Sequence, residues 1–412
     1  MTIIEFYDKN AIENIAGAMM CQPDRVVLVG DNREKMIKSC DTYQDVLRAN
    51  GINTKLFYSV INKTNLSNIV EGLERVIAQM GDCIFDLTGG DELYLVAVGM
   101  LKERHGEKVQ CHRFNFVNDT VSDCDADGKI ASVKSFDISI EDNIAIYGGS
   151  SGTDSRAQDH SDNWEFDDEF LDDIEKLWSV CKQDPGAWNT QVGIIGRVCD
   201  AFGKQDSLSV SYDSQYVNKA FGKGKDWYWI REELLQDLHS YGLIRYRKNG
   251  ETVSVKFKNE RVKRCLTVAG QVLERFIASR ICGLLDEDQR PMYHDVQVGV
   301  FIRWDDEDNK KPVNVINEID VMAMKGAIPV FISCKNGFVE VDELYKLNTV
   351  AKRFGGKYAK RVLVTSSLLE SNSNVSHLKA RMQEMGIIHI DNIYRISDHD
   401  LGQALSSLWK DK

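Results

Sequence analysis

The sequence predicts an α/β protein with an N-terminal doubly wound parallel sheet and a C-terminal α/β domain, joined by a helix-and-hairpin connector. Three observations carry this. Strand and helix patterns alternate from Arg25 to Leu101, as in a parallel sheet covered by helices. Asn249-Gly250 separates two alternating runs that follow a helical stretch, which is the strongest short signal for a hairpin. Beyond it come a helix, three strands, a helix and a further strand, and the second and third strands carry Asp320 and Lys335 toward their ends. The domains read as residues 1–150, 151–264 and 265–412.

Composition narrows the class. With 43% hydrophobic and 28% charged residues the chain can bury ample core, and no apolar run approaches the roughly 20 residues that a membrane span needs. The opening MTIIEFYDKN has no basic segment and no signal core, so a cytoplasmic protein with no membrane association is expected. Ten cysteines stand singly without a CxxC pair, which argues against zinc and against a disulfide framework, and eight scattered histidines argue against histidine-based metal chemistry. The net charge of −12 argues against general adhesion to nucleic acid. Charge is uneven, however: 162–175 hold eight acids and no base, 245–264 eight bases against two acids, and 346–361 six bases and no acid. A polyanion would therefore meet one face only.

In chain order, Arg25–Asp31 is a buried strand ending in a glycine turn, followed by a helix over Arg33–Asn50, a strand over Thr54–Val60 and a helix over Asn65–Gln79. Asp82–Leu87 is a strand that runs into Thr88-Gly89-Gly90-Asp91 and a helix through Leu101. Ligands bind beyond the carboxyl ends of such strands, and glycine loops at helix N-termini present N–H groups to phosphates. Without GxGxxG or GxxxxGK[ST], neither a usual dinucleotide site nor a P-loop is supported.

Ser150–Gln158, with Gly148-Gly149 before it, is polar and turn-rich, and reads as a linker. The acidic run after it alternates with Trp164, Phe166, Phe170, Leu171, Ile174, Leu177 and Trp178 at helical spacing, so an amphipathic helix with a solvated acidic face is expected. A helix over Arg231–Tyr241 with strands Leu243–Arg247 and Thr252–Phe257 suggests a winged-helix-like module, whose wing touches phosphates or serves as a spacer. Trp227-Tyr228-Trp229 reads as core. A single helix with one apolar face spans Leu266 to Ile281, with Glu274 on its flank. Strands follow at Val296–Trp304, Val313–Met324 and Ile328–Ile332, then a helix over Asp342–Phe354 and a buried strand over Arg361–Thr365.

Two resemblances then emerge. Asp86-Leu87-Thr88-Gly89-Gly90 after a fourth strand, with a first-strand loop at Gly30-Asp31-Asn32, resembles the CARF domain, the Rossmann-like sensor of cyclic oligoadenylates in type III CRISPR immunity. It implies ligand contacts from Gly30, Asp31, Asn32, Thr88, Gly89 and Gly90. Asp91 and Glu92 would have to point away from a phosphate ring or meet ribose or adenine donors. Asp320 and Lys335, with 14 residues between them, resemble the restriction-endonuclease-like PD-(D/E)xK nuclease core, except that Ser333 stands where that family has an acid.

Together the resemblances are to the CRISPR-ancillary nucleases activated by cyclic tetra-adenylate. They imply a homodimer sharing one cyclic ligand and cutting DNA or RNA with Mn²⁺ or Mg²⁺. Carried onto this chain, Asp320 binds the metal, the Cys334 backbone carbonyl is a further ligand while its side chain packs in the core, and Lys335 orients or helps deprotonate the water. Glu318 has the strand parity of Asp320, and Glu274 is the other candidate metal carboxylate. Either Glu274, Glu318, Glu340 or Glu343 compensates for Ser333, or metal is held more weakly than in the family at large. The basic stretch Lys346–Arg361 is expected to hold the substrate backbone. Two other classes stay open: a ligand-gated DNA-binding regulator with an inactive C-terminal domain, and a sensor that only sequesters or degrades its ligand.

Overall fold

The computed structural model describes residues 1–116, 118, 120–124, 128–132, 136–151, 166–204, 207–215, 217, 229–305, 314–337, 339–366, 368 and 375–409. The expected linker beyond Ser151, Trp164, Trp227, Tyr228 and Val313 lie outside them.

The N-terminal sheet is built from β1 (Thr2–Phe6), β2 (Arg25–Gly30), β3 (Lys55–Val60), β4 (Cys83–Asp86), β5 (Val109–Asn115), β6 (Thr120–Asp123) and β7 (Ile130–Ser132). Their order is β3-β2-β1-β4-β5-β6-β7, with the first five parallel and β6 and β7 antiparallel at the edge. The strand missed in the sequence, β1, lies at the centre: Ile4 pairs with Val27 on one side and Phe85 on the other. Connections run outward from β1 through β2 to β3 and then restart at β4, so the β1/β4 boundary is the switch point where such sheets open a crevice. The loop after Gly30 belongs to the second strand, not the first.

Helices α1 (Ala16–Cys21), α2 (Arg33–Ala49), α3 (Leu66–Met80), α4 (Glu92–His105) and α5 (Ile140–Ile146) cover this sheet. Asn32, Asn65, Asp91 and Ser139 begin four of them, each accepting a backbone N–H of the first turn. The chain then enters β8 (Gly149–Ser151), where a linker was expected, and pairs with the C-terminal sheet at Ile302 and Trp304. Gly149 is required there, because a Cβ would lie 2.5 Å from the Phe354 ring.

The connector contains α6 (Asp168–Cys181), α7 (Pro185–Phe202), β9 (Ser209–Asp213), α8 (Glu232–Ser240), β10 (Ile244–Asn249), β11 (Thr252–Phe257) and α9 (Glu260–Thr267). Its sheet, β10-β11-β9, has the expected winged-helix-like hairpin. The acidic face of α6 is not merely solvated. Asp167 pairs with Arg261 at 2.7 Å, Glu169 and Asp173 with Lys258 at 3.0 and 2.7 Å, and Glu175 with Arg280 at 2.7 Å. Lys248 and Lys263 are also ion-paired, so much of the basic run is neutralised from within. Trp229 is 54% exposed and does not join the core.

The expected single helix from Leu266 is two, α9 and α10 (Gln271–Cys282), broken at Gly270 with φ of 90°. The boundary drawn at 264/265 thus falls inside α9. The C-terminal domain continues with β12 (Asp295–Asp305), β13 (Asn314–Lys325), β14 (Ile328–Lys335), α11 (Val341–Gly355), β15 (Lys360–Thr365), α12 (Val375–Met385), β16 (Ile387–Ile390) and α13 (Asp398–Ser406). Its sheet runs β16-β15-β14-β13-β12-β8.

Hydrophobic packing ignores the domain boundaries. One core joins the connector and α10 to one face of the C-terminal sheet, while a second joins α1, α2 and α5 to the other face through Ile302, Phe331 and Phe354. Burying each such phenylalanine contributes about 1.5–3 kcal/mol. The first and last domains are therefore welded through shared core.

Candidate active site

The β12–β13 ladder is interrupted where Gly299, with φ of 66°, faces Asp320. Val298 and Val321 pack into one core and Val300 and Ile319 into the other, so the alternation of faces breaks at this point. Pairing of β13 with β14 also stops at Val321–Ile332. Asp320 therefore sits in a gap between strands rather than in a regular ladder.

Its carboxylate accepts the Cys334 backbone N–H at 2.6 Å and the Ser333 hydroxyl at 3.2 Å. Ser333 thus holds Asp320 in place. The Lys335 ammonium lies 3.7 Å from the same Asp320 oxygen and 3.2 Å from Glu343, which also holds Lys346 at 3.0 Å. Burial works against the Lys335 charge, but Asp320 and Glu343 outweigh it and raise its pKa. Lys335 is thus a firm cation suited to orienting a water or stabilising charge, and a poor base. Glu343 overcomes its own partial burial through Lys346 and Lys335, which keep it ionised.

Glu274 reaches the site from the first turn of α10, and only glycine at 270 lets its carboxylate fold back, since a Cβ there would lie 2.6 Å from it. Gln271 donates to it at 3.1 Å and Arg275 in turn donates to Gln271. Burial, followed by the charge of Asp320, pushes the Glu274 carboxyl up to about 8. Glu318 is raised as well, by burial and then by Asp320. Sequence parity foresaw the Glu318–Asp320 proximity; the break at Asp320 means that parity alone does not explain it. The Cys334 thiol is buried, and burial followed by Asp320 and Glu274 holds it well above its ordinary pKa, so its thiolate is no ligand. Glu340 precedes α11 without capping it.

Among the described residues no three acidic, histidine or cysteine side chains already form an ion cage. The donor set nevertheless suits a hard cation: Asp320 raises the pKa of both Glu274 and Glu318, a crowding of carboxylates that a divalent ion relieves by supplying positive charge.

Helix α11 runs from this site to the N-terminal domain. Its first turn holds Glu343 against Lys335. Just past its far end, Lys357 donates its backbone N–H to Asn10 at 3.2 Å and pairs through its side chain with buried Glu13 at 2.7 Å, and Tyr358 donates to Glu13 at 2.6 Å. Asn143 donates to the Phe354 carbonyl at 2.7 Å. Lys352 and Arg353, expected to hold the substrate backbone, line a cleft shared with Lys9 and α2.

At the switch point, the residues expected to bind ligand have structural partners. Asp86, buried, accepts both the Thr88 N–H at 2.9 Å and the Thr88 hydroxyl, which itself accepts the Phe114 N–H at 2.8 Å. Asn32 caps α2, and Lys63 bridges Asp31 at 3.3 Å and Asp91 at 2.9 Å, cancelling the acidity that made Asp91 awkward there. Gly30 packs so closely that a Cβ would be 2.8 Å from the Met36 sulfur. Gly90 has φ of 107° and donates to Asp8 at 3.1 Å, while a Cβ on Gly89 would touch Asp8 and Glu13. Glu5, near the end of β1, is held well above its ordinary pKa by burial and then by the charge of Asp86. Glu5, Asp8 and Glu13 went unnoticed because β1 is too short to show a period.

Residues 259–405 match the family model of the Card1-like endonuclease domain. The C-terminal part of the chain is thus similar to Card1-like endonuclease domains. No curated protein matches the chain in sequence. In fold, it is similar to protein VC1899 from Vibrio cholerae, with a TM-score of 0.70 at 18% identity over 99% of this chain and 97% of that one. It is also similar to Can2 from Sulfobacillus thermosulfidooxidans, solved in complex with cyclic tetra-adenylate, with a TM-score of 0.65 at 15% identity over 100% and 97%. The fold likeness to both proteins thus extends over nearly the whole chain. Within the endonuclease domain, Asp320, Glu318, Glu274 and Lys335 come together as the sequence suggested, and Glu343 joins them. Among the described residues, no helix is long and apolar enough to cross a membrane.

Proposed function

We propose that this protein is a cyclic oligoadenylate-activated, metal-dependent nuclease of type III CRISPR defence, working as a homodimer on DNA or RNA. The observation that carries the reading is the meeting of Asp320, Glu318, Glu274 and Lys335 in a strand gap of an endonuclease-family domain. Asp320, Glu274 and the Cys334 carbonyl would hold Mn²⁺ or Mg²⁺, with Glu318 beside them. When bound, such an ion supplies the positive charge that attacking and leaving oxygens need during phosphodiester hydrolysis. Ser333 and the Cys334 N–H fix the Asp320 carboxylate, and the Lys335 ammonium orients the attacking water and balances charge on the phosphate. Glu343 restrains Lys335.

Cyclic tetra-adenylate is the proposed activator, supported by the fold likeness to Can2, and its seat is the switch point formed by Gly30–Asn32 and Thr88–Gly90 with the loop after β1. That loop contacts Gly90 through Asp8 and the end of α11 through Asn10 and Glu13, so a shift at the sensor has a physical path to Glu343 and Lys335. For the dimer, Leu93, Val96 and Met100 form an exposed apolar stripe on α4, at 39%, 51% and 36% exposure, which a two-fold copy would cover. The regulator reading is weakened because Lys248 on the hairpin, and Lys258 and Arg261 just beyond it, are paired with acids of the connector, which lowers the positive charge offered to DNA there.

The test is to incubate the protein with labelled single- and double-stranded DNA and RNA, with Mn²⁺, Mg²⁺ or chelator, and with or without each cyclic oligoadenylate. Cutting that needs both metal and one cyclic ligand is expected. Cutting unaffected by chelator, or no cutting under any combination, overturns the reading.

A further inference from the structure

A large cavity lies away from the catalytic gap and meets the switch point only through the loop after β1. It is a cleft of about 1070 Å³ between the sensor and endonuclease domains, at the top of the roughly 300–1,000 Å³ range of ligand pockets. One wall is the loop after β1 and a face of α2, where Lys35, Lys38 and Thr42 follow at helical spacing. The opposite wall is the C-terminal half of α11, where Asn348 and Lys352, and Thr349 and Arg353, stand one turn apart on a shared face.

The lining is charged in one sense. Lys9, Lys35 and Lys38 come from the sensor and Lys352, Arg353 and Arg361 from the endonuclease domain, while Lys357 is already paired with Glu13. Among the described lining residues Asp8 is the only acid, and its oxygens already accept from Asn10 and Gly90. Lys9, Lys35 and Lys352 have no ion-pair partner among the described residues, and all three are exposed. In a chain of net charge −12, six cations converging on one cavity with a single, occupied carboxylate concentrate positive potential where it is partly shielded from solvent. Tyr7, half-buried, also lines the cleft and offers ring surface beside the charges, as bases joined by phosphates would use.

We propose that this cleft is a binding site for a phosphodiester oligoanion, held by Lys9, Lys35 and Lys38 on one side and by Lys352, Arg353 and Arg361 on the other. The site follows from the cleft's own chemistry; the identity of its occupant rests on the functional reading above. Lys352 lies nine residues beyond Glu343 on the same helix, roughly 13 Å along its axis at about 1.5 Å per residue, so the cleft is apart from the scissile bond. The switch point is the seat given above to the cyclic activator, so the occupant favoured here is the nucleic-acid backbone flanking the scissile bond. An oligoanion bridging the two walls would draw α2 and α11 together and so act on the helix whose first turn restrains Lys335.

The experiment compares the full-length protein with two double variants, Lys352→Ala/Arg353→Ala and Lys35→Ala/Lys38→Ala. Fluorescence polarisation is read across a salt series with two probes, labelled cyclic tetra-adenylate and a short labelled single-stranded DNA. Each double variant should weaken binding of one probe by about tenfold or more and flatten its salt dependence by about one per lost phosphate contact. Loss for cyclic tetra-adenylate identifies the activator as occupant, and loss for DNA alone identifies the substrate. Because Arg353 also lies over the Trp304 ring at 5.6 Å, Arg353→Lys serves as the control that keeps the charge, and it should retain binding. Lys9→Ala, which alters only an exposed loop side chain, covers the case in which a double variant fails to fold. Unchanged affinity and salt slope for both probes in folded variants overturn the proposal. If the wild type cuts no nucleic acid while the variants still lose probe binding, the nuclease reading fails and the cleft stands.

Discussion

Glu274→Gln is the perturbation whose effect the structure quantifies most directly. The Glu274 carboxyl is buried beside Asp320, and its pKa rises from an ordinary 4.5 to about 8. At roughly 1.4 kcal/mol per pH unit, that rise corresponds to about 5 kcal/mol. The raised value means that the folded protein favours the protonated form. Its contribution is fully present below the unfolded pKa, near 4.5, and is lost as pH climbs through about 8. Relaxation around a buried charge reduces such losses, so about 2–5 kcal/mol is expected. Glutamine keeps the shape and cannot ionise, so the variant should lack this component. The assay is urea unfolding at pH 5 and pH 9 in chelator, with both proteins measured side by side. Wild type should lose about 2–5 kcal/mol more than Glu274→Gln between the two pH values, and Mn²⁺ should return part of that loss to wild type only. Equal pH dependence in the two proteins would refute the burial of Glu274 against Asp320.

Three further outcomes are expected. Asp320→Ala should reduce cleavage by about a thousandfold or more, because it removes the anion that organises metal and lysine; measured with cyclic tetra-adenylate binding on the same preparation, affinity for the ligand should stay within about threefold. Ser333→Glu replaces the hydroxyl that donates to Asp320 with a second carboxylate near Glu274, so single-turnover cleavage should slow and the pKa of Glu274 should rise further; faster cleavage with tighter Mn²⁺ binding would instead show that Ser333 marks a missing ligand. Gly90→Ala forces a Cβ to within 2.5 Å of the Phe6 side chain at a φ of 107°. The strain alone costs about 1–3 kcal/mol, and a melting temperature equal to wild type would contradict the loop geometry.

Some of this protein was decided by its local sequence. Val26–Val29 and Val362–Val364 are apolar runs that can only be buried strands, Asn249-Gly250 can turn a hairpin within two residues, and Asp320 and Lys335 announce themselves by lying on adjacent strands. These signals are short-range, because a strand's period and a turn's dihedrals are settled within a few residues. The remainder came from pairings between distant segments. β1 is five residues long and has no outward polar face, since it is buried between β2 and β4, so no alternation betrays it; yet its place sets the switch point. The acidic run of α6 and the basic residues of the hairpin and α9 look like two surfaces until folding sets Asp173 against Lys258 and Asp167 against Arg261. Lys352 and Arg353 share a helix with Glu343, and only the rotation and length of α11 send them into the interdomain cleft while Glu343 meets Lys335. Charge counted along a chain does not say which charges meet. Coulomb attraction depends on separation in space, and that separation is fixed by the two cores that hold α6 and α11 in position.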